Sequence, residues 1–94
     1  MTKAEIAERI VMETQISRED VVSTVNEFME SVKSAMINGE NVYLRGFGTF
    51  HIQKRAEKTG RNILAKTSMI IPEHFVPLFK PAPDFKGKVR NPKK

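Results

Sequence analysis

The sequence predicts an α+β fold with two N-terminal helices, a three-stranded antiparallel sheet that carries a long β-hairpin arm, and a short C-terminal helix. Three observations predict it. Apolar residues recur at helical spacing as far as Met36, they alternate with polar residues from Val42 onward, and a polar ribbon then separates two strand-like segments. With 94 residues and no cysteine, the chain is expected to form one domain over 1–94, with the arm at about 53–75 and without disulfides.

Both N-terminal helices begin at predicted capping residues. Thr2 is the expected N-cap of the first helix, and Glu5 follows at the spacing of a capping box. That helix is expected to end near Thr14. Ser17 is the expected cap of the second helix, which should stop before Gly39.

The second helix carries a broad apolar stripe with a period of about 3.6 residues. Its members are Val21, Val22, Val25, Phe28, Met29, Val32, Ala35 and Met36. The first helix is too short to cover this stripe well. We therefore expect part of the stripe to pack against a second copy of the chain, the alternative being that it only forms the core.

Strands are predicted at 42–45, 49–54 and 67–71, the last extending as far as Phe75, with a turn at 46–48 between the first two. Tyr43 and His51 alternate away from their apolar neighbours, so they are expected to face the opposite side of the sheet. The prolines at 77, 81 and 83 are expected to break up the following chain, and a short helix should begin near Pro83.

Positive charge is concentrated in the second half of the chain. Residues 1–50 hold five Lys or Arg and eight Asp or Glu, a net charge of −3, whereas residues 51–94 hold eleven and three, a net charge of +8. This asymmetry indicates that the second half contacts a polyanion, and the alternative is a solvated basic tail. The polar segment 55–66 is expected to leave the body as an extended hairpin arm.

Three blocks of the sequence resemble one bacterial family. They are Arg45-Gly-Phe-Gly-Thr-Phe50, Arg55-Ala-Glu-Lys-Thr-Gly-Arg-Asn62 and Val76-Pro-Leu-Phe-Lys-Pro81. Together with the two N-terminal helices and the spacing between the blocks, they are similar to the HU and integration host factor family over essentially the whole chain. Arg45 and the Phe-Lys-Pro segment are slightly more similar to integration host factor than to HU.

The resemblance implies an intertwined dimer, in which the sheet forms a saddle and two β-arms wrap the minor groove of double-stranded DNA. A homodimer is expected, and a heterodimer with a related subunit is the alternative. Basic side chains neutralise phosphates, and glycines let the backbone approach a phosphate closely. The residues predicted to bind DNA are Lys3, Gly46, Gly48, Lys54, Arg55, Lys58, Arg61, Asn62, Lys66, Lys80 and Lys86.

The tip of the arm departs from the family pattern. The family has a proline after Arg-Asn and a Thr-Gly turn soon afterwards, whereas here Ile63 and Leu64 follow Asn62, and residues 62–67 contain no glycine. Ile63 is the predicted wedge that enters a base step and kinks the duplex, with Leu64 as the alternative. Isoleucine lacks the fixed φ and rigid ring of proline, so the tip is expected to differ in shape.

Other classes of function have little support in the sequence. His51 and His74 lie far apart without cysteine partners, so neither a metal site nor a cofactor is expected. No glycine elbow or phosphate-binding loop is present, so neither an enzyme nor a small-molecule substrate is expected. No apolar run approaches the roughly 20 residues that span a bilayer, and charged residues occupy the N-terminus where a signal peptide is apolar. A cytoplasmic protein without membrane contact is therefore expected, and the resemblance implies that it lies on the nucleoid.

The sequence thus predicts an architectural protein that binds, bends and compacts duplex DNA, largely without sequence specificity. The alternative within the family is a site-specific bender similar to integration host factor. A module for single strands or RNA would need exposed aromatic side chains on a basic face, and residues 51–66 contain no Phe, Tyr or Trp. A structural dimer that binds no nucleic acid is the remaining alternative.

Overall fold

The structure is a computed structural model that describes residues 1–62 and 67–91. Within these residues the chain forms α1 (Lys3–Thr14), α2 (Arg18–Ile37), β1 (Val42–Leu44), β2 (Gly48–Arg55), β3 (Lys58–Asn62), β4 (Thr67–Ile71), β5 (His74–Pro81) and α3 (Pro83–Arg90). This order of elements confirms the predicted α+β class. The chain divides into two compact units, Met1–Ala35 and Met36–Lys94.

The predicted capping residues begin both helices of the first unit. The Thr2 hydroxyl accepts a hydrogen bond from the backbone N–H of Glu5 at 3.2 Å and donates one to the Glu5 carboxylate at 3.3 Å. The Ser17 hydroxyl accepts from the backbone N–H of Asp20 at 3.2 Å. Each cap satisfies a backbone donor that the first turn leaves without a helical partner, and this fixes where the helix starts.

An ion pair joins the two helices of the first unit. The Arg18 guanidinium donates to both oxygens of the Glu8 carboxylate, at 2.6 Å to Oε1 and 2.8 Å to Oε2. This bond holds the pKa of the Glu8 carboxyl below its ordinary value and raises that of Arg18. Ala7 on α1 and Val21 on α2 are buried, with 5% and 3% of their surfaces exposed. None of the described helices combines the length and the apolar character needed to cross a membrane.

The second unit contains a three-stranded antiparallel sheet in the order β1-β2-β5. β2 pairs along its whole length with β5, from Gly48 opposite Pro81 to Arg55 opposite His74. The β1 ladder ends earlier, at the pair of Val42 with Phe50. The sheet is therefore three strands wide beside the turn at 46–48 and two strands wide towards the arm.

One predicted strand assignment is wrong. The third strand of this sheet is β5, whereas the segment Thr67–Ile71 forms β4 in a separate sheet. The prolines in β5 predicted a break because proline has no N–H to donate to a ladder. β5 is an edge strand, so it needs backbone donors on one side only, and Pro77 lies opposite Ile52 without interrupting the pairing.

The arm is the two-stranded antiparallel sheet of β3 and β4. Its pairing runs from Lys58 opposite Ile71 to Asn62 opposite Thr67. Residues 56–57 and 72–73 separate it from β2 and β5. The predicted hairpin is thus confirmed for the described strands, and the chain that joins their ends, 63–66, lies outside the described residues.

Phenylalanines form the apolar cluster of the second unit. The Phe79 ring lies 4.9 Å from that of Phe50 and 5.1 Å from that of Phe47, measured between ring centroids. Phe85 stacks on Phe47 at 5.5 Å. Because Phe85 belongs to α3, this cluster docks the C-terminal helix, whose predicted start at Pro83 is confirmed, on one face of the sheet.

Candidate nucleic-acid interface

The β1-β2-β5 sheet has a polar face opposite the phenylalanine cluster. Directly paired residues share a face and successive residues alternate between faces. The register therefore places together Tyr43, Thr49, His51, Gln53, Arg55, His74, Val76, Leu78 and Lys80, which we call the polar face. No Asp or Glu lies among these described residues. Tyr43 and His51 face away from Phe50, as the alternation predicted.

A row of hydrogen-bonding groups crosses the polar face near the turn. Tyr43 lies opposite Thr49, and Thr49 lies opposite Lys80. These residues line a shallow depression together with Arg45 and Gly46. Tyr43 is 75% exposed. Two hydroxyls, an ammonium and a guanidinium are donors that suit phosphate oxygens, so this depression can bind an anion.

The two glycines of the turn have different roles. Gly46 has φ of +81°, and a Cβ atom there would meet no heavy atom within 4 Å. The space beside its backbone is therefore open, and the phosphate contact expected at both glycines stays a prediction. A Cβ at Gly48 would lie 2.6 Å from the Lys80 carbonyl oxygen and 2.7 Å from the Phe79 ring. Close packing therefore accounts for Gly48 without any ligand.

The predicted cations near the base of the arm lie on different surfaces. Arg55 ends β2 on the polar face, opposite His74, and Lys58 begins the arm opposite Ile71. Lys54 precedes Arg55 and therefore lies on the other face, where its Nζ is 3.1 Å from the Glu73 carboxylate. Both partners of that pair are more than half exposed. Lys54 and Arg55 thus cannot contact the same phosphate from one side of β2.

The remaining predicted residues are spread over both units. Lys3, in the first unit, donates from Nζ to the Asn26 side-chain oxygen at 2.9 Å. Lys86 is exposed on α3. Arg61 and Asn62 lie on β3, opposite residues 68 and 67. Lys66 and both wedge candidates, Ile63 and Leu64, lie outside the described residues.

Sequence reasoning assigned no role to His74. The structure places it opposite Arg55 on the polar face, with its ring Nδ1 at 2.9 Å from the Pro72 carbonyl oxygen. Only the register between β2 and β5 could have placed His74 beside Arg55. That register was not predicted because Pro77 and Pro81 indicated a break in the strand.

Comparison with known proteins decides the family. Residues 1–90 match the family model described as "Bacterial DNA-binding protein". The chain belongs to this family. The assignment confirms the resemblance carried by the three sequence blocks, and it identifies the protein as a DNA-binding protein of the HU and integration host factor type.

Curated relatives and solved structures of the family match over nearly the whole chain. Integration host factor subunit beta of Shewanella amazonensis is 37% identical over 90 residues, which cover 95% of each chain. The same subunit of Pseudomonas aeruginosa is 37% identical over 93 residues, which cover 98% of this chain and 99% of the relative. An HU–DNA cocrystal structure from Anabaena superposes with a TM-score of 0.88 at 28% identity, covering 98% of this chain and 100% of the other. A mutant HU from Thermotoga maritima gives a TM-score of 0.72 at 27% identity, covering 95% and 99%.

Proposed function

We propose that this chain is an architectural protein that binds, bends and compacts duplex DNA, with the polar face and the arm as its contact surfaces. Membership of a DNA-binding family and the likeness to an HU–DNA cocrystal structure support the nucleic-acid partner. Binding rather than catalysis is the activity proposed. Bacterial DNA lies in the cytoplasm, so we place the protein on the nucleoid.

The charge of the polar face is the observation that carries the proposal. This face holds Arg55 and Lys80, and no carboxylate lies on it within the described strands. Two acids lie just outside these strands: Glu57 in the link from β2 to the arm, and Glu73 in the link from the arm to β5, where it pairs with Lys54 of the other face. A polyanion can therefore meet cations and hydroxyl donors here without bringing its phosphates against a like charge.

We propose that the chain acts as a dimer. Among the described residues, Ala7 and Val21 are the only buried apolar ones, whereas Phe28, Met29 and Ile37 are 47%, 43% and 83% exposed. Large apolar side chains left in water favour association, because pairing buries surface that a chain of this size cannot cover alone. Phe28 and Met29 belong to the stripe predicted to pack against a second copy.

Each arm is proposed to lie in the minor groove, with Lys58, Arg61 and Asn62 as its contacts. The minor groove shows a degenerate pattern of donors and acceptors, and phosphate contacts carry no sequence information. Low sequence preference follows from both facts. Ile63, or Leu64, is proposed as the apolar wedge, and this assignment depends on the resemblance alone.

Salt-dependent binding and end-to-end distance test the function together. We expect log Kobs for a duplex to fall linearly with log salt, with a slope of about −0.9 for each phosphate contact. We also expect the ends of a short, doubly labelled duplex to approach one another on binding, as measured by energy transfer. Preferential binding of a matched single strand, or salt-insensitive binding, would overturn duplex recognition. Tight binding without approach of the ends would overturn bending and leave a protein that coats DNA.

Ile63→Ala is the variant that isolates the wedge. Loss of the apolar side chain should reduce the bend, because less of it can enter a base step. The salt slope should stay unchanged, since no phosphate contact is removed. Leu64→Ala is the matched control one residue away. If Leu64→Ala reduces the bend and Ile63→Ala does not, the wedge is Leu64, and an unchanged bend in both variants would refute an apolar wedge at these positions.

A site-specific bender with a related second subunit is the alternative function. The curated relatives favour it, since those described above carry the name integration host factor subunit beta. It predicts that one sequence binds far more tightly than random DNA. Specific DNA-binding proteins typically reach ratios of about 10³ or more, so a ratio of only a few-fold would rule this alternative out.

A further inference from the structure

Asn38 and Gly39 form the turn that ends α2. Gly39 has φ of +85°, and its backbone N–H donates to the Met36 carbonyl oxygen at 3.0 Å. A left-handed glycine with this hydrogen bond is a common end of a helix. Both Asn38 and Gly39 are exposed, and a Cβ atom on Gly39 would meet no heavy atom within 4 Å. The asparagine amide and the glycine nitrogen therefore lie side by side in a turn that water can reach.

An asparagine that precedes a glycine is chemically labile. The backbone nitrogen of the following residue can attack the carbon of the asparagine side-chain amide, and a side chain on that following residue hinders the approach. Glycine has no Cβ, and its backbone is the least restricted of all residues. The chain has five asparagines, and Asn38 is the only one that a glycine follows.

Other asparagines of the chain are protected by their surroundings. The side-chain oxygen of Asn41 accepts from the backbone N–H of Ile52 at 3.0 Å, and that of Asn26 accepts from Lys3 Nζ at 2.9 Å. A β-branched valine follows Asn41, and Asn26 lies within α2, where the next backbone N–H belongs to the helix. Asn91 precedes a proline, whose nitrogen has no proton to lose.

We propose that Asn38 is a site of spontaneous deamidation. The Gly39 nitrogen loses its proton to solvent and forms a bond to Cγ of Asn38, while the Cγ–Nδ2 bond breaks and the amide nitrogen takes up a proton and leaves as ammonia. Water then opens the resulting cyclic imide. Cleavage of the new N–Cγ bond gives aspartate, and cleavage of the bond between this nitrogen and the main-chain carbonyl carbon gives isoaspartate. The hydrogen bond from Gly39 to Met36 has to open first, and it lies at the end of a helix, where opening is easiest.

Either product places a new carboxylate at the negative end of the α2 dipole. The last turn of α2 contains no basic residue that would compensate for this charge, and Glu40 already follows two positions later. Isoaspartate also adds one carbon to the main chain between the end of α2 at Ile37 and the start of β1 at Val42. Deamidation at Asn38 therefore weakens the end of α2 and alters its connection to the sheet.

Peptide mapping by mass spectrometry, after incubation of the protein in warm, mildly alkaline buffer, tests the site. Asn38 should lose its amide at least about tenfold faster than Asn41, where a β-branched residue follows, and an isoaspartyl methyltransferase should label the product. Asn38→Gln should abolish the labelling, because the longer side chain forms a ring far more slowly. Asn91→Gln, the matched control, should leave it unchanged.

The same incubation in urea gives the rate for the unfolded chain. If Asn38 keeps its amide in the folded protein while the unfolded protein loses it, the turn protects the asparagine and the proposal is overturned. An intact amide under both conditions would overturn it as well.

Thermal unfolding tests the effect of the added charge. Asn38→Asp should melt about 2–4 °C below Asn38→Gln at neutral pH and equal protomer concentration. The two variants should have the same Tm in acid, where the new carboxyl is protonated. Equal Tm values at neutral pH would overturn the destabilising effect of deamidation.

Discussion

Replacing Gly48 by alanine should destabilise the protein more than the same change at Gly46. Both glycines have positive φ, +157° and +81° respectively, so both substitutions strain the backbone. They differ in the space around the new methyl group. At Gly46 nothing lies within 4 Å, whereas at Gly48 the methyl carbon would be 2.6 Å from the Lys80 carbonyl oxygen and 2.7 Å from the Phe79 ring.

The surroundings of the two glycines determine how far the two variants differ in stability. An L-residue in the left-handed region costs about 1–2 kcal/mol, which is the whole effect expected for Gly46→Ala. Gly48→Ala adds the cost of overpacking, typically about 1–3 kcal/mol. The Phe79 ring can rotate, but the Lys80 carbonyl is backbone of a strand paired with β2, so it can move only if the strand moves. We therefore place the difference between the variants at about 2 kcal/mol, towards the middle of that range.

Thermal unfolding measures the difference. For a domain of this size, about 1 kcal/mol corresponds to about 4–8 °C in Tm, so Gly48→Ala should melt roughly 8–16 °C below Gly46→Ala. The comparison requires equal protomer concentrations, because association raises Tm by mass action. Gly48→Ala combined with Phe79→Leu should recover only part of the loss, since the carbonyl contact remains. Equal Tm values for the two single variants would refute the packing role of Gly48.

Three further predictions concern charge and assembly. Arg55→Ala should reduce the salt slope of duplex binding by about 0.9, whereas Lys88→Ala, whose partner is Asp84 on α3, should leave it unchanged, as fluorescence titrations across salt concentrations would show. Phe28→Glu should convert the dimer to monomer by sedimentation analysis, because each dimer would bury two unpaired carboxylates; an unaltered mass would exclude α2 from the interface. Arg18 holds the pKa of the Glu8 carboxyl low, so the pair stabilises the fold above the ordinary glutamate pKa and ceases to do so as pH falls through the lowered one. Glu8→Gln should accordingly melt below the unaltered protein at neutral pH and match it in acid, and a gap that persists in acid would show that another contact is responsible.

Local signals were enough to predict the helices. Thr2 and Ser17 cap the helices through hydrogen bonds to residues three positions later, so the information lies within one turn. The strand β5 was not predicted, because the information that decides it is not local. Whether a proline breaks a strand depends on whether the strand lies at the edge of its sheet, and the position of Pro77 is set by β1 and β2, more than twenty residues earlier in the chain.

The same distinction between local and long-range information applies to the candidate interface. Alternation within β1 and β2 was enough to put Tyr43 and His51 on the face opposite Phe50. The pairing of Lys54 with Glu73 and the position of His74 opposite Arg55 depend on the register between β2 and β5. No local pattern encodes that register. Sequence therefore predicted how residues divide between the two faces of β1 and β2, but not which residues of β2 and β5 lie side by side.

The β2–β5 register determines both the stability and the proposed function of the second unit. In the observed register Phe50 lies opposite Phe79 and supports α3, while its neighbour His51 lies opposite Leu78 on the polar face. A slip of one residue would exchange the faces of every side chain on one strand. It would bring Lys80 towards the phenylalanine cluster and Phe79 towards the polar face. The observed register brings the Lys80 carbonyl and the Phe79 ring so near Gly48 that a Cβ atom there would lie 2.6 Å and 2.7 Å from them. We infer that Gly48 favours this register, because a residue with a side chain would clash there, and this register keeps Lys80 of β5 on the face proposed to meet DNA.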